Sequence, residues 1–219
     1  MTNLKIPILI LLELPTELIK NWVFIIVGVK TLNRAIFFDR DGVLNEEVGY
    51  LHEIEKFVWT EGARAAIKFC NENNFFAIVI TNQGGIAKGL YTEDDVKILH
   101  EFMQGELKKI GAHIDDFFYC PHHEDGIISE YTKICDCRKP KPKMILKACE
   151  KFDIDPKKSF MIGDKQRDID AGKNAGLCGE FLFKGGNLFE LVKKIIEGEN
   201  FGENNFGDGR SSERQKSIC

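Results

Sequence analysis

The sequence predicts an α/β fold with a doubly wound, mostly parallel sheet, and three observations support this. Apolar runs of strand length alternate with stretches of helical period along residues 34–196. The clearest runs are continuous in their apolar character, as in strands buried on both faces of a parallel sheet. Several runs end directly at acidic, hydroxyl or glycine residues, and ligands bind beyond the carboxyl ends of strands in such sheets.

Composition limits the functions that the chain can have. Its 219 residues are 43% hydrophobic and 29% charged, which is typical of a soluble globular protein with one full core. The net charge of -4 argues against nucleic-acid binding. The seven cysteines are an odd number, and several stand beside histidines, which favours metal binding in a reducing compartment over disulfides. We therefore expect a cytoplasmic protein, and a monomer.

The two ends of the chain differ from the predicted domain at 34–196. Residues 1–33 form an N-terminal extension whose apolar stretch 8–29 is interrupted by charged residues and a proline. A membrane-spanning helix needs about 20 predominantly apolar residues, and no clear signal peptide is present, so we expect no membrane role. Residues 197–219 are rich in Gly, Asn, Glu and Ser, and we predict a disordered tail.

The first strand carries the most informative stretch. The apolar run Ala35–Phe38 stops at Asp39 and Asp41, and Gly42 then permits a tight turn. Two carboxylates at a strand end can hold Mg²⁺. They can also take separate roles in a covalent phosphoryl transfer: one carboxylate attacks phosphorus while the other moves a proton. The alternative is a solvated acidic turn.

A long loop and a second strand follow. The loop 44–60 contains Glu47–Tyr50, which either reaches a substrate or lies on the surface. A helix is predicted over 62–73 and a buried strand over 75–80. That strand ends at Thr81-Asn82-Gln83-Gly84-Gly85, where a hydroxyl, amides and glycines are suited to phosphate oxygens.

A helix from Thr92 to about Ile110 and a strand over 115–119 lead to a cysteine-rich loop, residues 120–137. Cys-x-His followed by Cys-x-Cys offers four ligands for tetrahedral zinc: Cys120, His122, Cys135 and Cys137. With all four bound, the ion has a structural role. His123 is an alternative ligand to His122, and reduced cysteines without metal are the alternative to zinc.

Basic residues follow the loop directly, and a third strand-end carboxylate comes later. Arg138 can orient a phosphate with two hydrogen bonds, and Lys139 can act as a point charge. After a helix over 142–152 and a strand over 159–162, Asp164 supplies a further Mg²⁺ ligand. Asp168 either orients that ligand or pairs with a lysine. The next helix continues through 171–175, before a strand over 180–183 and a helix over 188–196.

Together these residues resemble a known superfamily. Asp39-x-Asp41-Gly42, Thr81-Asn82, Lys139 and Gly163-Asp164-x-x-x-Asp168 are similar to the four motifs of the haloacid dehalogenase phosphotransferases. The cysteine loop, with the stretches at 38–42, 49–50 and 81–83, more closely resembles the D-glycero-D-manno-heptose 1,7-bisphosphate 7-phosphatase family. Histidinol-phosphate phosphatases share this layout. The resemblance covers about residues 34 to 195.

The resemblance implies a role for each matched residue. Asp39 would be the nucleophile, Asp41 the acid and then the base, and Thr81 and Lys139 would stabilise the phosphoryl group. Mg²⁺ would be held by Asp39, Asp164 and the backbone carbonyl of Asp41; zinc would be held by Cys120, His122, Cys135 and Cys137. The implied substrate contacts are Arg40, Glu47, Val48, Gly49, Tyr50, Asn82, Gln83, Gly84 and Arg138.

The resemblance also implies that loops shape the pocket, because these enzymes have no large cap domain. Gly84 stands where the family often has serine, and Lys88 where it often has arginine, which bears on sugar preference. The expected function is Mg²⁺-dependent removal of the 7-phosphate from a small phosphorylated sugar, in nucleotide-activated heptose biosynthesis. The alternatives are a histidinol-phosphate phosphatase and a non-catalytic, zinc-stabilised binding module.

Overall fold

The computed structural model describes residues 32–198, in which five strands form one parallel sheet. The strands are β1 (Arg34–Phe38), β2 (Phe75–Asn82), β3 (Asp116–Cys120), β4 (Phe160–Gly163) and β5 (Gly179–Leu182). Their order across the sheet is β3-β2-β1-β4-β5, and every neighbouring pair is parallel. The predicted fold class is confirmed. The predicted extension 1–33 and tail 197–219 lie almost wholly outside the described residues.

Five α-helices of the described residues cover the sheet: four connect successive strands, and the fifth follows β5. They are α1 (Ala63–Glu72), α2 (Glu93–Lys108), α3 (Lys143–Lys151), α4 (Gln166–Ala175) and α5 (Leu188–Glu197). Sequence signals set several helix starts: the Thr92 hydroxyl accepts the Asp95 N–H at 3.2 Å, and Pro142 precedes α3. The longest helix has 16 residues, and none within 32–198 is long and apolar enough to cross a bilayer.

Both faces of the sheet are buried, as the continuous apolar strands predict. In β1, Ile36 and Phe38 lie in one core cluster, and Ala35 and Phe37 in the other. This division follows from the alternation of side chains along a strand. Helices α1 and α5 cover the first face, and α3 and α4 cover the second. Each fully buried large apolar side chain contributes about 1.5–3 kcal/mol of transfer free energy.

The strand order creates a crevice at one end of β1. From β1 the chain builds outward through β2 and β3, and it then crosses to the other side of β1 to add β4 and β5. The Asp39 N–H donates to the carbonyl of Ile162 at 2.9 Å, which ties the residue after β1 to β4. Ligands bind at such a reversal of strand order. The loop after β1, which contains a 3-10 turn at Ile54–Lys56, carries no inserted domain within the described residues.

Candidate active site

Three carboxylates converge at the crevice between β1 and β4. Asp39 follows β1, Asp164 follows β4, and Asp168 lies in the first turn of α4. One oxygen from each lies within 4.8 Å of the others, an arrangement that could hold a metal ion. The sequence predicted Asp39 and Asp164 as ligands and left Asp168 to orient the site or to pair with a lysine. The Asp41 carboxylate lies outside this group, since it turns toward Arg40.

Lys139 connects two of these carboxylates. Its buried ammonium lies 2.9 Å from Asp39 Oδ1 and 2.7 Å from Asp168 Oδ1, and it also donates to the Ile80 carbonyl at 2.6 Å. Asn82, at the end of β2, fixes the Lys139 backbone, because its amide accepts the Lys139 N–H at 3.0 Å and donates to the Lys139 carbonyl at 3.1 Å. The pairing of Asp168 with a lysine is thus present.

The charges at the crevice do not balance. Burial raises the pKa of Asp39 to about 7; the Lys139 ammonium opposes this rise, while Asp168 and Asp41 add to it. Asp164 Oδ1 is buried without a hydrogen-bond partner among the described residues. The half-exposed Lys165 ammonium pairs with Asp164 Oδ2 at 2.6 Å, so three carboxylates face two ammonium groups. The remaining negative charge and the unpartnered acceptor oxygen fit a hard divalent cation such as Mg²⁺.

Two glycines allow this close approach. Gly42 has φ +83°, and a Cβ built on it would lie 2.6 Å from Asp164 Oδ2. A Cβ on Gly163 would lie 2.1 Å from the Cβ of Asp168. Both contacts are shorter than real Cβ atoms tolerate. Glycine at 42 therefore lets the loop after β1 meet Asp164, and glycine at 163 lets the end of β4 pack against Asp168.

Asp41 is surrounded by hydrogen-bond donors. Its Oδ1 accepts from Arg40 Nη2 at 3.0 Å and from Asn45 Nδ2 at 3.1 Å, and its Oδ2 accepts from Gln83 Nε2 at 3.0 Å. Arg40 also donates to the Leu51 carbonyl at 2.9 Å. The Arg40 side chain is fully buried and is not among the lining residues of the pocket; its Nη1 has no hydrogen-bond partner among the described residues. The predicted contact between Arg40 and substrate stays a prediction.

A pocket opens above the carboxylates, and most of the predicted site residues line it. Those that do are Asp39, Asp41, Glu47, Gly49, Tyr50, Thr81, Asn82, Gln83, Gly84 and Arg138. Val48 is 48% exposed and is not among the lining residues, so its predicted contact with substrate stays a prediction. Lys139 is also absent from the lining, because its ammonium is buried against Asp39 and Asp168.

Arg138 connects the pocket to the cysteine loop. Its Nη1 donates to the His122 carbonyl at 3.1 Å, and it leans over Gly84. A Cβ on Gly84 would lie 3.1 Å from both Arg138 Nη1 and His123 Cδ2. Glycine at this position therefore lets the arginine and the histidine approach the strand end closely.

The cysteine cluster consists of Cys120, His122, Cys135 and Cys137, whose donor atoms lie within 4.8 Å of one another. Cys137 Sγ lies 3.0 Å from Cys120 Sγ and 3.3 Å from both Cys135 Sγ and His122 Nδ1. Three sulfurs and one imidazole nitrogen are a donor set that fits tetrahedral zinc. His123 is not in this group; its Nδ1 accepts the Asp125 N–H at 3.0 Å.

Comparisons with known proteins agree with this geometry. Residues 136–187 match the HAD-hydrolase-like family model. D-glycero-alpha-D-manno-heptose-1,7-bisphosphate 7-phosphatase from Photorhabdus laumondii is 46% identical over 178 residues, 75% of this chain and 97% of that protein. The D-glycero-beta-D-manno counterpart from Rhodopseudomonas palustris is 42% identical over 74% of this chain and 89% of its own length.

The chain belongs to the heptose-1,7-bisphosphate 7-phosphatase family. A solved structure of D,D-heptose 1,7-bisphosphate phosphatase from B. bronchiseptica, complexed with magnesium and phosphate, superimposes with a TM-score of 0.66 at 25% identity. The match covers 76% of this chain and 99% of that one. As a member of the family, the protein is a phosphoric monoester hydrolase, and the non-catalytic alternative is set aside.

The structure of this family member adds three lining residues that the sequence did not indicate: Tyr91, His123 and Arg167. Tyr91 follows the glycine-rich turn, and Arg167 lies beside Asp168 at the start of α4. A basic residue next to a candidate metal ligand was a usable signal for Arg167. Tyr91 gave none, because a single aromatic residue before a helix is usually part of the core.

Proposed function

We propose that this protein is an Mg²⁺-dependent phosphatase that removes the 7-phosphate of D-glycero-D-manno-heptose 1,7-bisphosphate through an aspartyl-phosphate. The observation that carries the proposal is the arrangement of Asp39, Lys139 and Asp168 at the carboxyl ends of β1 and β4, below an open pocket. The substrates named for the relatives support the choice of sugar. We place the reaction in nucleotide-activated heptose biosynthesis, which supplies lipopolysaccharide core or another surface glycan.

The proposed chemistry uses two aspartates in turn. An Asp39 carboxylate oxygen attacks phosphorus while the bond from phosphorus to the C7 oxygen breaks, and Asp41 gives its proton to that leaving oxygen. Asp41 then takes a proton from water, the water oxygen attacks phosphorus, and the bond to Asp39 breaks. Inorganic phosphate leaves, and Asp41 is protonated again for the next cycle. The Thr81 hydroxyl and the Lys139 ammonium stabilise the charge of the transferring group.

The chain provides places for two metals. Asp39, Asp164 and the backbone carbonyl of Asp41 would hold Mg²⁺, which when bound neutralises phosphoryl charge. Asp168 keeps Lys139 in position from the opposite side, 2.7 Å from its ammonium. Zinc would take Cys120, His122, Cys135 and Cys137 and would have a structural role. Arg138 follows this cluster directly, so a fixed loop holds the arginine over the pocket.

The substrate is bound by loops in this proposal. Glu47, Gly49, Tyr50 and Gly84 line the pocket opposite the carboxylates and would contact the sugar. Lys88 Nζ donates to the Tyr50 hydroxyl at 2.8 Å, which steadies the tip of the first loop. We retain the expectation of a cytoplasmic monomer that binds neither nucleic acid nor membrane.

A side-by-side turnover comparison tests the proposal. The α and β anomers of heptose 1,7-bisphosphate and histidinol phosphate would be assayed for phosphate release, with and without Mg²⁺. We expect one anomer to exceed histidinol phosphate by at least about 10²-fold in kcat/KM, because unmatched polar groups penalise the wrong ligand. A preference for histidinol phosphate, or equal phosphate release with and without Mg²⁺, would overturn the proposed function. The relatives carry both anomeric names, so the comparison also assigns the anomer.

A further inference from the structure

Gln83 lies between the two side chains that the proposed chemistry needs at a fixed separation. Its amide nitrogen donates to Asp41 Oδ2 at 3.0 Å and to Thr81 Oγ1 at 2.9 Å. The side chain is 1% exposed, so although it borders the pocket it presents almost no surface to a ligand. This placement suits a residue that supports the reacting groups better than one that binds sugar.

Two donors fix the orientation of the Gln83 amide. Its oxygen accepts from the Tyr91 hydroxyl at 2.6 Å and lies 3.3 Å from Arg40 Nη2. Arginine has no acceptor, so the amide oxygen must face Arg40, and the nitrogen must face Asp41. Tyr91 is held in turn: its ring stacks on His52 with centroids 5.0 Å apart. A Cβ on Gly85 would lie 2.2 Å from that ring, so the tyrosine fills the space over the turn.

We propose that Gln83 is a positioning residue that acts through Asp41; this rests on the proposed function. The other side-chain donors to Asp41 are Arg40 and Asn45, and both lie on the same turn as Asp41. Gln83 alone among them belongs to the strand end that carries Thr81. It therefore sets where the proton donor stands relative to the phosphoryl-binding hydroxyl.

The identity of the leaving group separates this role from a structural one. A sugar oxygen leaves as an alkoxide unless it receives a proton, so its departure depends on the placement of Asp41. The p-nitrophenolate anion is stable at neutral pH and needs no proton. Displacing Asp41 should slow the first step for the sugar ester and leave it nearly unchanged for p-nitrophenyl phosphate.

The test compares Gln83→Met with Gln104→Met, using heptose 1,7-bisphosphate and p-nitrophenyl phosphate. Gln104 is a matched control because its amide, like that of Gln83, both donates and accepts, with bonds of 2.6 and 2.9 Å to the Ile114 backbone, but it is not among the lining residues of the pocket. Rapid-mixing experiments would measure the release of sugar and of nitrophenolate during the first turnover of each ester. We expect Gln83→Met to slow sugar release by about 30-fold with nitrophenolate release changed by less than about 3-fold. Gln104→Met should lower Tm without this difference between sugar release and nitrophenolate release.

A second variant keeps the test decisive if Gln83→Met does not fold. Gln83→Glu preserves shape, and at a pH at which the new carboxylate is ionised it accepts from Tyr91 and Arg40 without donating to Asp41; the same difference between the two esters is expected there. If a folded variant hydrolyses both esters equally slowly, or neither more slowly than wild type, the inference is overturned. The proposed function still stands in that case, provided that the wild-type protein turns over the sugar ester. Failure of the wild-type protein to hydrolyse either ester overturns both.

Discussion

The acidic site and the cysteine cluster are built in opposite ways. The acidic site, formed by Asp39, Asp164, Asp168 and Lys139, takes its residues from three distant parts of the chain and buries most of them. The cysteine cluster draws all four ligands from residues 120–137, and three of the four are only partly buried. The sheet positions the residues of the acidic site, whereas the cysteine cluster depends on the conformation of a single loop.

This difference predicts which properties each region controls. Removing a charge from the acidic site should stop the chemistry and leave the sheet intact, because hydrogen bonds between strands hold its backbone. Removing a ligand from the cluster should loosen the loop first, and the chemistry should suffer through the adjoining Arg138 and Lys139. The predictions below test that separation, beginning with the largest effect.

Asp39→Asn should lower kcat by at least about 10³-fold, since an amide cannot form the aspartyl-phosphate. The folded protein should be no less stable, because burial raises the pKa of Asp39 and so penalises its charged form. Phosphate-release kinetics and thermal unfolding at pH 8 measure the two properties. Asp170→Asn is the control, because Asp170 is a carboxylate on α4 that does not belong to the group Asp39, Asp164 and Asp168. Full activity in Asp39→Asn would rule out the covalent route.

Cys137→Ser should remove zinc, lower Tm and reduce activity by about 10- to 100-fold through misplacement of the basic pair. Cys137 Sγ approaches the other three donors of the cluster, so its loss should open the whole loop. Metal analysis of protein purified without added zinc should find about one zinc per wild-type chain and none in the variant.

Cys178→Ser is the matched control, because Cys178 is a partly buried cysteine outside the cluster. It should retain zinc, Tm and activity. Wild-type protein without zinc, or a Cys137→Ser variant with full activity and Tm, would show that the loop holds Arg138 and Lys139 without a metal. The contrast between the two regions would then disappear.

The sequence predicted the acidic site better than the surface around it, for a physical reason. Strand ends are marked by an abrupt change from apolar to polar residues, so Asp39, Thr81 and Asp164 stood out. Whether a side chain near them faces the pocket depends on packing, which no local pattern records. Arg40 follows Asp39 directly and yet its side chain is buried, where it donates to Asp41 and to a loop carbonyl.

Element boundaries show the same limit on a smaller scale. The apolar run predicted that β2 ends at Ile80, but the strand continues to Asn82 because Thr81 and Asn82 still pair with Tyr119 and Cys120 of β3. The apolar pattern did not indicate this continuation, because Thr81 and Asn82 have polar side chains. The cysteine spacing was sufficient to group all four ligands, because metal-ligand patterns are local.

Gly42→Ala tests whether the acidic site depends on close backbone approach. The variant combines strain at φ +83° with a Cβ 2.6 Å from Asp164 Oδ2, so Asp164 must move. We expect about 10-fold weaker Mg²⁺ activation in addition to a stability loss of about 1–3 kcal/mol. Gly111→Ala is the control: it has φ +70° with no atom within 4 Å of the added Cβ. Equal Mg²⁺ activation in both variants would contradict the expectation.

The smallest effect concerns acid stability, which both regions can affect. Burial, with a smaller contribution from Arg40, lowers the pKa of His100 to about 3, and its ring stacks on Phe117 with centroids 4.1 Å apart. Because the unfolded pKa is about 6.5, the unfolded state binds the proton first, and stability should fall as pH drops from about 6.5 toward 3. At pH 5 this loss should be about 2 kcal/mol.

His100→Phe should remove that dependence, whereas His113→Phe should not, because the His113 side chain is 59% exposed. Acid also protonates cysteine and histidine ligands, so zinc release must be followed alongside unfolding. If His100→Phe flattens the stability curve between pH 7 and pH 5 while zinc is retained, acid sensitivity in this range arises at the buried His100 ring. If both variants lose stability together with zinc, the cysteine cluster is the acid-sensitive region instead.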